Sequence, residues 1–417
     1  MNILCISPDF VPAGDSEAYC GAKMAMALRN HGANVTVLSM ELPHLPRWKR
    51  FDDSNLWQEV YRITIPVRVP STHRSIKSLW LAGKYQTVNF VRWVDAIVKL
   101  GQEINSKNPF DLVYSRSTPK IAAIAGYWCS KLMGIPWVAN INDPWDYQFF
   151  PNVKFKNVSR VKTAFSLYWL KKTLKYADLI TFPSGRLRDY VSRLGGAEPW
   201  GEVIPHIGYT CSDQKSTDDF HLVHAGKLGL NEITGRSTQG LLQGLASFLK
   251  VEEAARSLTK FTFIGQKDYA TETLVKKLDL GGVVRFLGNV NYEESLRHIR
   301  SATVCVLVEA DGAEGIYLPS KLADYVVAKK PTLALSPSVG VLSDMVPDGG
   351  IIRVSPNDEI SISEAIGKLY KAFQNCSLHE YMPPNQLIRQ FEAGPIAEKF
   401  LSVVSQVIEN KTRVAYR

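Results

Sequence analysis

The chain has 417 residues, 45% hydrophobic and 21% charged, with a formal net charge of +9. That length exceeds one ordinary core and implies two domains. The composition is that of a soluble globular protein, without low-complexity tract or tandem repeat, and no apolar run reaches the roughly 20 residues of a bilayer span.

The opening MNILCISPDF is a short apolar segment with no basic leader or cleavage site, so export is not expected and a cytoplasmic protein is. NILCIS reads as a first strand, and a helix is expected from about Gly21 to Asn30. The loop between them, SPDFVPAGDSEAYCGAKMA, holds Gly14 and Gly21. It opens a helix whose free amides and dipole favour an anion. It is not Gly-x-Gly-x-x-Gly, so a dinucleotide fingerprint is absent. NVTVLSM is β-branched and strand-like.

The excess charge concentrates between Leu45 and Gly101. That span holds Arg47, Lys49, Arg50, Arg62, Arg68, Arg74, Lys77, Lys84, Arg92 and Lys99 against Asp52, Asp53, Glu59 and Asp95, together with Trp48, Trp57, Trp80 and Trp93. Basic residues interleaved with tryptophan suit an anionic membrane surface or a nucleic acid. A solvated face carrying a few core aromatics has equal claim.

DLVYS, PWVANI and DLITFP follow, each preceded by a helix-length segment. Strands alternating with helices imply parallel pairing, with crossovers covering both sheet faces. PWVANI ends in NDPWDY, placing Asn142, Asp143 and Asp146 beside Trp145 at the edge where parallel sheets bind substrates.

After the linker-like VIPHIGYTCSDQKSTDD the alternation restarts with HLVHAG, KFTFIG, VVRFLG, TVCVLVE and PTLAL. The fold class is therefore α/β, with two doubly wound Rossmann-like domains whose strand ends share a cleft. Lys227 and Arg236 flank the loop after HLVHAG, and Lys267 follows KFTFIG. A guanidinium fork, an ammonium and backbone amides together hold a diphosphate. No Walker loop is present. The cysteines are scattered, with no Cys-x-x-Cys and no metal-like pairing with histidine, so no metal site is expected.

The stretch EGIYLPSKLADYVVAKKP, Glu314 to Pro331, follows the strand TVCVLVE. Pro319 suits a first helical turn, with Ser320 beside it. Lys321 and Asp324 stand three residues apart, a spacing that also fits an ordinary ion pair. Carboxylates bind vicinal hydroxyls through charge-assisted hydrogen bonds, and Gly315 would let a ligand approach the backbone beside Glu314.

With these motifs the sequence resembles the family-four retaining glycosyltransferases of the GT-B fold, of the bacterial polysaccharide-assembly type. The likeness runs through the opening 37 or so residues, VIPHIGY, and the acid-Gly-x-x-x-Pro-Ser-Lys-x-x-acid-Tyr stretch. The resemblance implies Glu314 on the donor sugar, Asp324 on the ribose, Arg236 with Lys227 or Lys267 on the diphosphate, and Asp143 near the acceptor. Gly315, Ser320 and Lys321 belong to the same donor site. Gly14 and Gly21 stand where the family has a Gly-Gly pair. Asp324 replaces a glutamate, Lys329 a glycine and Asn142 an arginine of the family pattern.

The implied division puts an acceptor-side domain at residues 1–205 and a donor-binding domain at 206–393. The amphipathic helix 394–410 is expected to pack back on the first. The implied reaction moves a sugar from a UDP- or GDP-sugar to a carbohydrate or lipid-linked acceptor in the cytoplasm, with no further cofactor and no nucleic acid partner; the basic, tryptophan-bearing span suggests a peripheral place at the inner face of a membrane as a hypothesis. A sugar-nucleotide epimerase of the same architecture and a two-domain solute-binding protein are the alternatives.

Overall fold

The structure, a computed structural model, describes residues 1–41, 52–68, 76–87, 90–146, 149–151, 159–211, 218–229, 235–266 and 268–415. The chain divides into two compact units. The first comprises Met1–Phe149, Phe155–Pro205 and Ala393–Arg417; the second comprises Phe150–Lys154 and His206–Glu392.

The first unit is built on a parallel sheet of seven strands: β1 (Asn2–Ile6), β2 (Asn34–Met40), β3 (Thr64–Val67), β4 (Leu112–Ser117), β5 (Trp137–Ile141), β6 (Leu179–Phe182) and β7 (Glu202–Val203). Their order is β3-β2-β1-β4-β5-β6-β7. Strands β1, β4, β5 and β6 are almost wholly buried, as strands covered on both faces by crossover helices must be. Trp57, Trp93, Trp137 and Trp169 fill the core at or below 1% exposure. Two of the tryptophans assigned to the basic span are therefore core residues, Trp80 alone of those described is exposed, at 63%, and Trp48 lies outside the described residues.

The second unit carries six parallel strands: β8 (Phe220–Ala225), β9 (Thr259–Ile264), β10 (Val284–Gly288), β11 (Val304–Val308), β12 (Thr332–Leu335) and β13 (Ile351–Val354). Their order is β10-β9-β8-β11-β12-β13. Phe220, Phe261, Leu241, Leu245, Val306, Leu333 and Ile366 form one apolar cluster around this sheet.

Strands β3, β7 and β13 escape the sequence reading, and each lies at a sheet edge. An edge strand is short and half exposed, so polar residues and proline interrupt its apolar run. Pro66 does so in β3 and Arg353 in β13. The first helix spans Ser16–Asn30, five residues earlier than expected. Its start is set by Asp15, whose side chain accepts from the amides of Glu17 and Ala18, an N-cap that fixes a helix start regardless of the polar residues that follow.

The helix Ala393–Ala415 belongs to the first unit. Ile396, Phe400 and Val404 are buried, and the Phe400 ring lies 4.8 Å from that of Tyr114 on β4. Lys399 Nζ donates to Val203 O at 2.8 Å, and Lys411 pairs with Asp178 at 2.7 Å.

Candidate functional site

Both sheets start in their interior. The chain runs outward from β1 to β3 and returns beside β1 at β4; it runs from β8 to β10 and returns beside β8 at β11. Where the direction reverses, the crossover loops part, and the carboxyl ends of the two central strands border a crevice. In the second unit those ends are His224-Ala225-Gly226 and Val308-Glu309.

Four polar side chains converge there. His224, buried in β8, has Nδ1 3.0 Å from Val306 O, and its Nε2 lies 3.5 Å from Lys321 Nζ. Burial, Lys321 and Arg236 hold its basicity well below that of a free imidazole, so it faces Lys321 as a neutral ring. The Lys321 ammonium lies over Gly226, where a Cβ would meet Nζ at 2.5 Å; Gly226 has φ +120°. Desolvation first, then the Arg236 charge, pushes Lys321 down to about 7. Glu309, 8% exposed, is pushed up to about 8 by desolvation, which the Arg236 charge offsets only in part. Arg236 thus acts on His224, Glu309 and Lys321 alike. Two cations within each other's field at a sheet switch point, one of them pushed towards neutrality by burial and by the other's charge, would be relieved by an anion.

Lys321 makes no ion pair with Asp324, although the two stand on adjacent turns. The helix they share spans Ser320–Val327, with Pro319 as its N-cap rather than in its first turn. Asp324 is 5% exposed, and its Oδ1 accepts from the Tyr209 amide at 2.9 Å and the Tyr292 hydroxyl at 2.8 Å. A ribose contact by Asp324 would have to share a carboxylate that already anchors the Tyr209 backbone. Ser320 is half-buried in the first turn, beside Lys321. Glu314 is half-buried, and Gly315 beside it is buried. The backbone of Gly315 is already used: its amide donates to Val339 O at 2.9 Å and its carbonyl accepts from Val341 at 2.8 Å. The space where its side chain would stand is taken by Glu309 Oε2, 3.0 Å from an added Cβ. Glycine here leaves room for the Glu309 carboxyl. Lys227 is exposed, and Lys267 lies outside the described residues. The second cation that the structure brings to Arg236 is Lys321.

The first unit has its own polar cluster at the β1/β4 reversal. Arg116, 5% exposed, donates to the Tyr114 hydroxyl at 2.8 Å. Asn142 donates to Glu17 Oε2 at 2.8 Å, linking the end of β5 to the first helix. Burial pushes Glu17 up to about 6, against the Arg116 charge and the Asn142 hydrogen bond. Arg116 stands in register with Asn140 on the neighbouring strand. Asp143 is half-buried at this edge. Asp146 accepts from Thr163 and Ser166.

The expected anion site in the first loop takes another form. The Glu17 and Ala18 amides bond the Asp15 carboxylate, whose charge already complements the helix dipole. Gly14 precedes this cap. Gly21 lies inside the helix, where a Cβ would meet Phe10 and Ser7 Oγ at 3.1 Å, so it serves close packing. Glu309, His224, Glu17 and Arg116 were not singled out by sequence reasoning. For His224, Glu309 and Arg116 the signal was available: polar residues within or closing the runs HLVHAG, TVCVLVE and LVYSRS, which otherwise read as strands buried on both faces.

Residues 18–206 match the Glycosyl transferase 4-like domain, a little under half of the chain. No curated protein matches the sequence. Among solved structures, Anabaena HepE in complex with UDP-glucose is similar over 97% of this chain and 100% of its own, at 13% identity and a TM-score of 0.68. Sucrose-phosphate synthase from Thermosynechococcus elongatus is similar over 98% and 99%, at 17% identity and a TM-score of 0.64. UDP-GlcNAc 2-epimerase from Methanocaldococcus jannaschii is similar over 97% and 100%, at 12% identity and a TM-score of 0.53. The fold is GT-B. In a GT-B chain each Rossmann-like unit brings its own sheet reversal, and here each reversal carries a buried polar cluster.

Proposed function

We propose that the protein is a retaining glycosyltransferase that moves a sugar from a nucleotide-diphosphate donor to a carbohydrate or lipid-linked acceptor, in surface polysaccharide or glycoconjugate synthesis. The observation that carries this reading is the meeting of Arg236 and Lys321 at the β8/β11 reversal, close to the Glu314–Gly315 turn. The second unit is the donor side and the first, with Asp143, the acceptor side. The UDP-glucose complex of HepE supports a uridine donor.

In this reading Arg236 and Lys321 hold the diphosphate. As the glycosidic bond lengthens, negative charge grows on the leaving oxygen, and fixed cations in a dry site stabilise that charge more than the ground state. The ammonium of Lys321, destabilised by burial and by the Arg236 charge, gains proton affinity when the diphosphate arrives. Glu314 accepts from donor sugar hydroxyls. The departing phosphate takes the acceptor's proton, so no strong protein base is needed. Arg236→Ala and Glu314→Ala are each expected to lower donor turnover about 100-fold or more, measured as released nucleoside diphosphate. Near wild-type turnover by both variants overturns the assignment. The likeness to a 2-epimerase favours epimerisation as a second reading; incubation with UDP-GlcNAc alone would then yield an interconverted nucleotide sugar. Binding of nucleotide sugars without turnover would favour a solute-binding protein.

A lipid-linked acceptor fits a surface on the first unit. Helices Ile76–Tyr85, Ile121–Met133 and Arg160–Tyr176 carry Lys77, Lys84, Lys131, Arg160, Lys162, Lys171, Lys172 and Lys175 and no acid. They are knitted together by Trp128 Nε1 donating to Tyr85 O and Lys172 Nζ donating to Gln86 Oε1. Lys172 Nζ lies 4.3 Å from the Tyr127 ring centre and 4.7 Å from that of Trp169. Leu79, Trp80, Tyr168 and Tyr176 stand exposed among these cations. Basic residues on helices that carry no acid, around exposed tryptophan and leucine, match an anionic bilayer interface. No described helix is long and apolar enough to cross a membrane. Vesicles containing about 30% phosphatidylglycerol are expected to sediment the protein at low salt, and the double variant Lys131→Glu, Lys175→Glu to weaken that partition about tenfold or more, at about 1 kcal/mol per charge. Equal sedimentation of both proteins, or none of either, overturns this surface.

A further inference from the structure

One buried group in the second unit has no role in the chemistry above. Glu309 follows the last residue of β11, its amide donating to Leu335 O at 2.8 Å. Its side chain turns back over Gly315, and Oε2 has no hydrogen-bond partner. A buried, unpartnered carboxyl oxygen is costly and calls for an explanation. Ionised, it would sit as an anion within the field of Arg236 at the place where a second anion is to bind. Protonated, it is a buried O–H donor with no acceptor. An anion held by Arg236, whose charge reaches both Glu309 and Lys321, would offer that O–H an acceptor.

We propose that Glu309 works as a neutral carboxylic acid, donating a hydrogen bond to the ligand phosphate oxygen that Arg236 and Lys321 hold. This rests on the donor-site reading above. No bond to the proton is broken: Glu309 lends a dipole at the anion and withholds the negative charge that a carboxylate would set against it. The Glu309–Gly315 packing then has a purpose. Glycine at 315 leaves room for the carboxyl at the strand end, and the bonds of Gly315 to Val339 and Val341 hold that turn in place.

The probe is inorganic pyrophosphate, titrated calorimetrically into the full chain between pH 7 and 9 for wild type, Glu309→Gln and Glu309→Met, each checked for an unchanged melting profile. At pH 7 the glutamine variant, whose amide N–H replaces the acid O–H, is expected to bind within about threefold of wild type, and the methionine variant about tenfold more weakly, the scale of one lost charge-assisted hydrogen bond. Towards pH 9 wild type is expected to lose affinity about tenfold relative to Glu309→Gln, because burial sets the Glu309 proton loss at about 8 and only the acid can ionise. Lys321 and pyrophosphate also titrate in both proteins, so the ratio to Glu309→Gln isolates what ionisation of Glu309 adds, its effect on Lys321 included; His224 stays neutral throughout. A ratio that does not change with pH, a methionine variant that binds like wild type, or a wild type that does not bind pyrophosphate overturns the proposal. Turnover of UDP-glucose is scored separately. A protein with this binding profile but no turnover of nucleotide sugars would refute the transferase and leave Glu309 as assigned.

Discussion

At the scale of single residues, backbone conformation and close packing decide more than residue type suggests. Lys329 has φ +57° and ends the helix Ser320–Val327 at the position where the family pattern has glycine. A Cβ in the left-handed region costs about 1 kcal/mol, while glycine loses more freedom on folding. Lys329→Gly is therefore expected to raise unfolding stability by a few tenths to about 1 kcal/mol, read from the urea midpoint. Gly226 is the opposite case. Alanine there would be strained at φ +120° and would drive Lys321 Nζ from its place. Gly226→Ala is expected to lower nucleoside diphosphate affinity about tenfold or more and stability by about 1–3 kcal/mol; an alanine variant with wild-type affinity would remove Lys321 from the site. The acids and cations of EGIYLPSKLADY were legible as a chemical group. Their division of labour was not, because helix spacing alone does not say that Lys321 turns to β8 while Asp324 turns to Tyr209 and Tyr292.

At the scale of elements, the central strands carry buried polar groups that tie the sheet to pH. His221 on β8 has Nε2 2.9 Å from Thr262 Oγ1 and is pushed down to about 4, first by burial and then by the charges of His298 and Arg285, with Asp219 opposing and Lys260 adding to them. Its folded affinity for protons is lower than that of the unfolded chain. Acid therefore favours unfolding: stability is full above about pH 6.5 and falls as pH drops towards 4. At pH 5 the loss from this one group is about 2 kcal/mol. Urea unfolding at pH 7.5 and pH 5 is expected to show a smaller drop for His221→Gln than for wild type by that amount, and equal drops would contradict it. The interior strands were legible as apolar runs because both faces are covered. The edge strands β3, β7 and β13 were not, since a half-covered strand needs no continuous apolar run.

At the scale of the whole molecule, the chain crosses to the second unit and then returns its last described helix to the first. Phe400, 1% exposed, packs on Tyr114, the neighbour of the β4 residues that carry the first polar cluster. Phe400→Ala is expected to cost about 3–5 kcal/mol, confined to the unfolding of the first unit. Hydrogen exchange should then rise across β1, β4 and β5 while β8 and β11 keep their protection; a uniform rise across both sheets would contradict the division into two units.

What the sequence determined by itself was the α/β class, the two doubly wound sheets and the chemical character of the loops that follow their strands. Periodicity, apolar runs and turn residues are local properties, and a parallel sheet imposes them locally. What only the tertiary structure decided was which polar groups meet. Glu309 and His224 are 85 residues apart, on strands brought together only by the return of the chain at β11, and the Arg116 charge acts on Glu17 only because β4 lies beside β1. Strand order is set by the packing of crossovers across the sheet, a long-range property that no window of sequence carries.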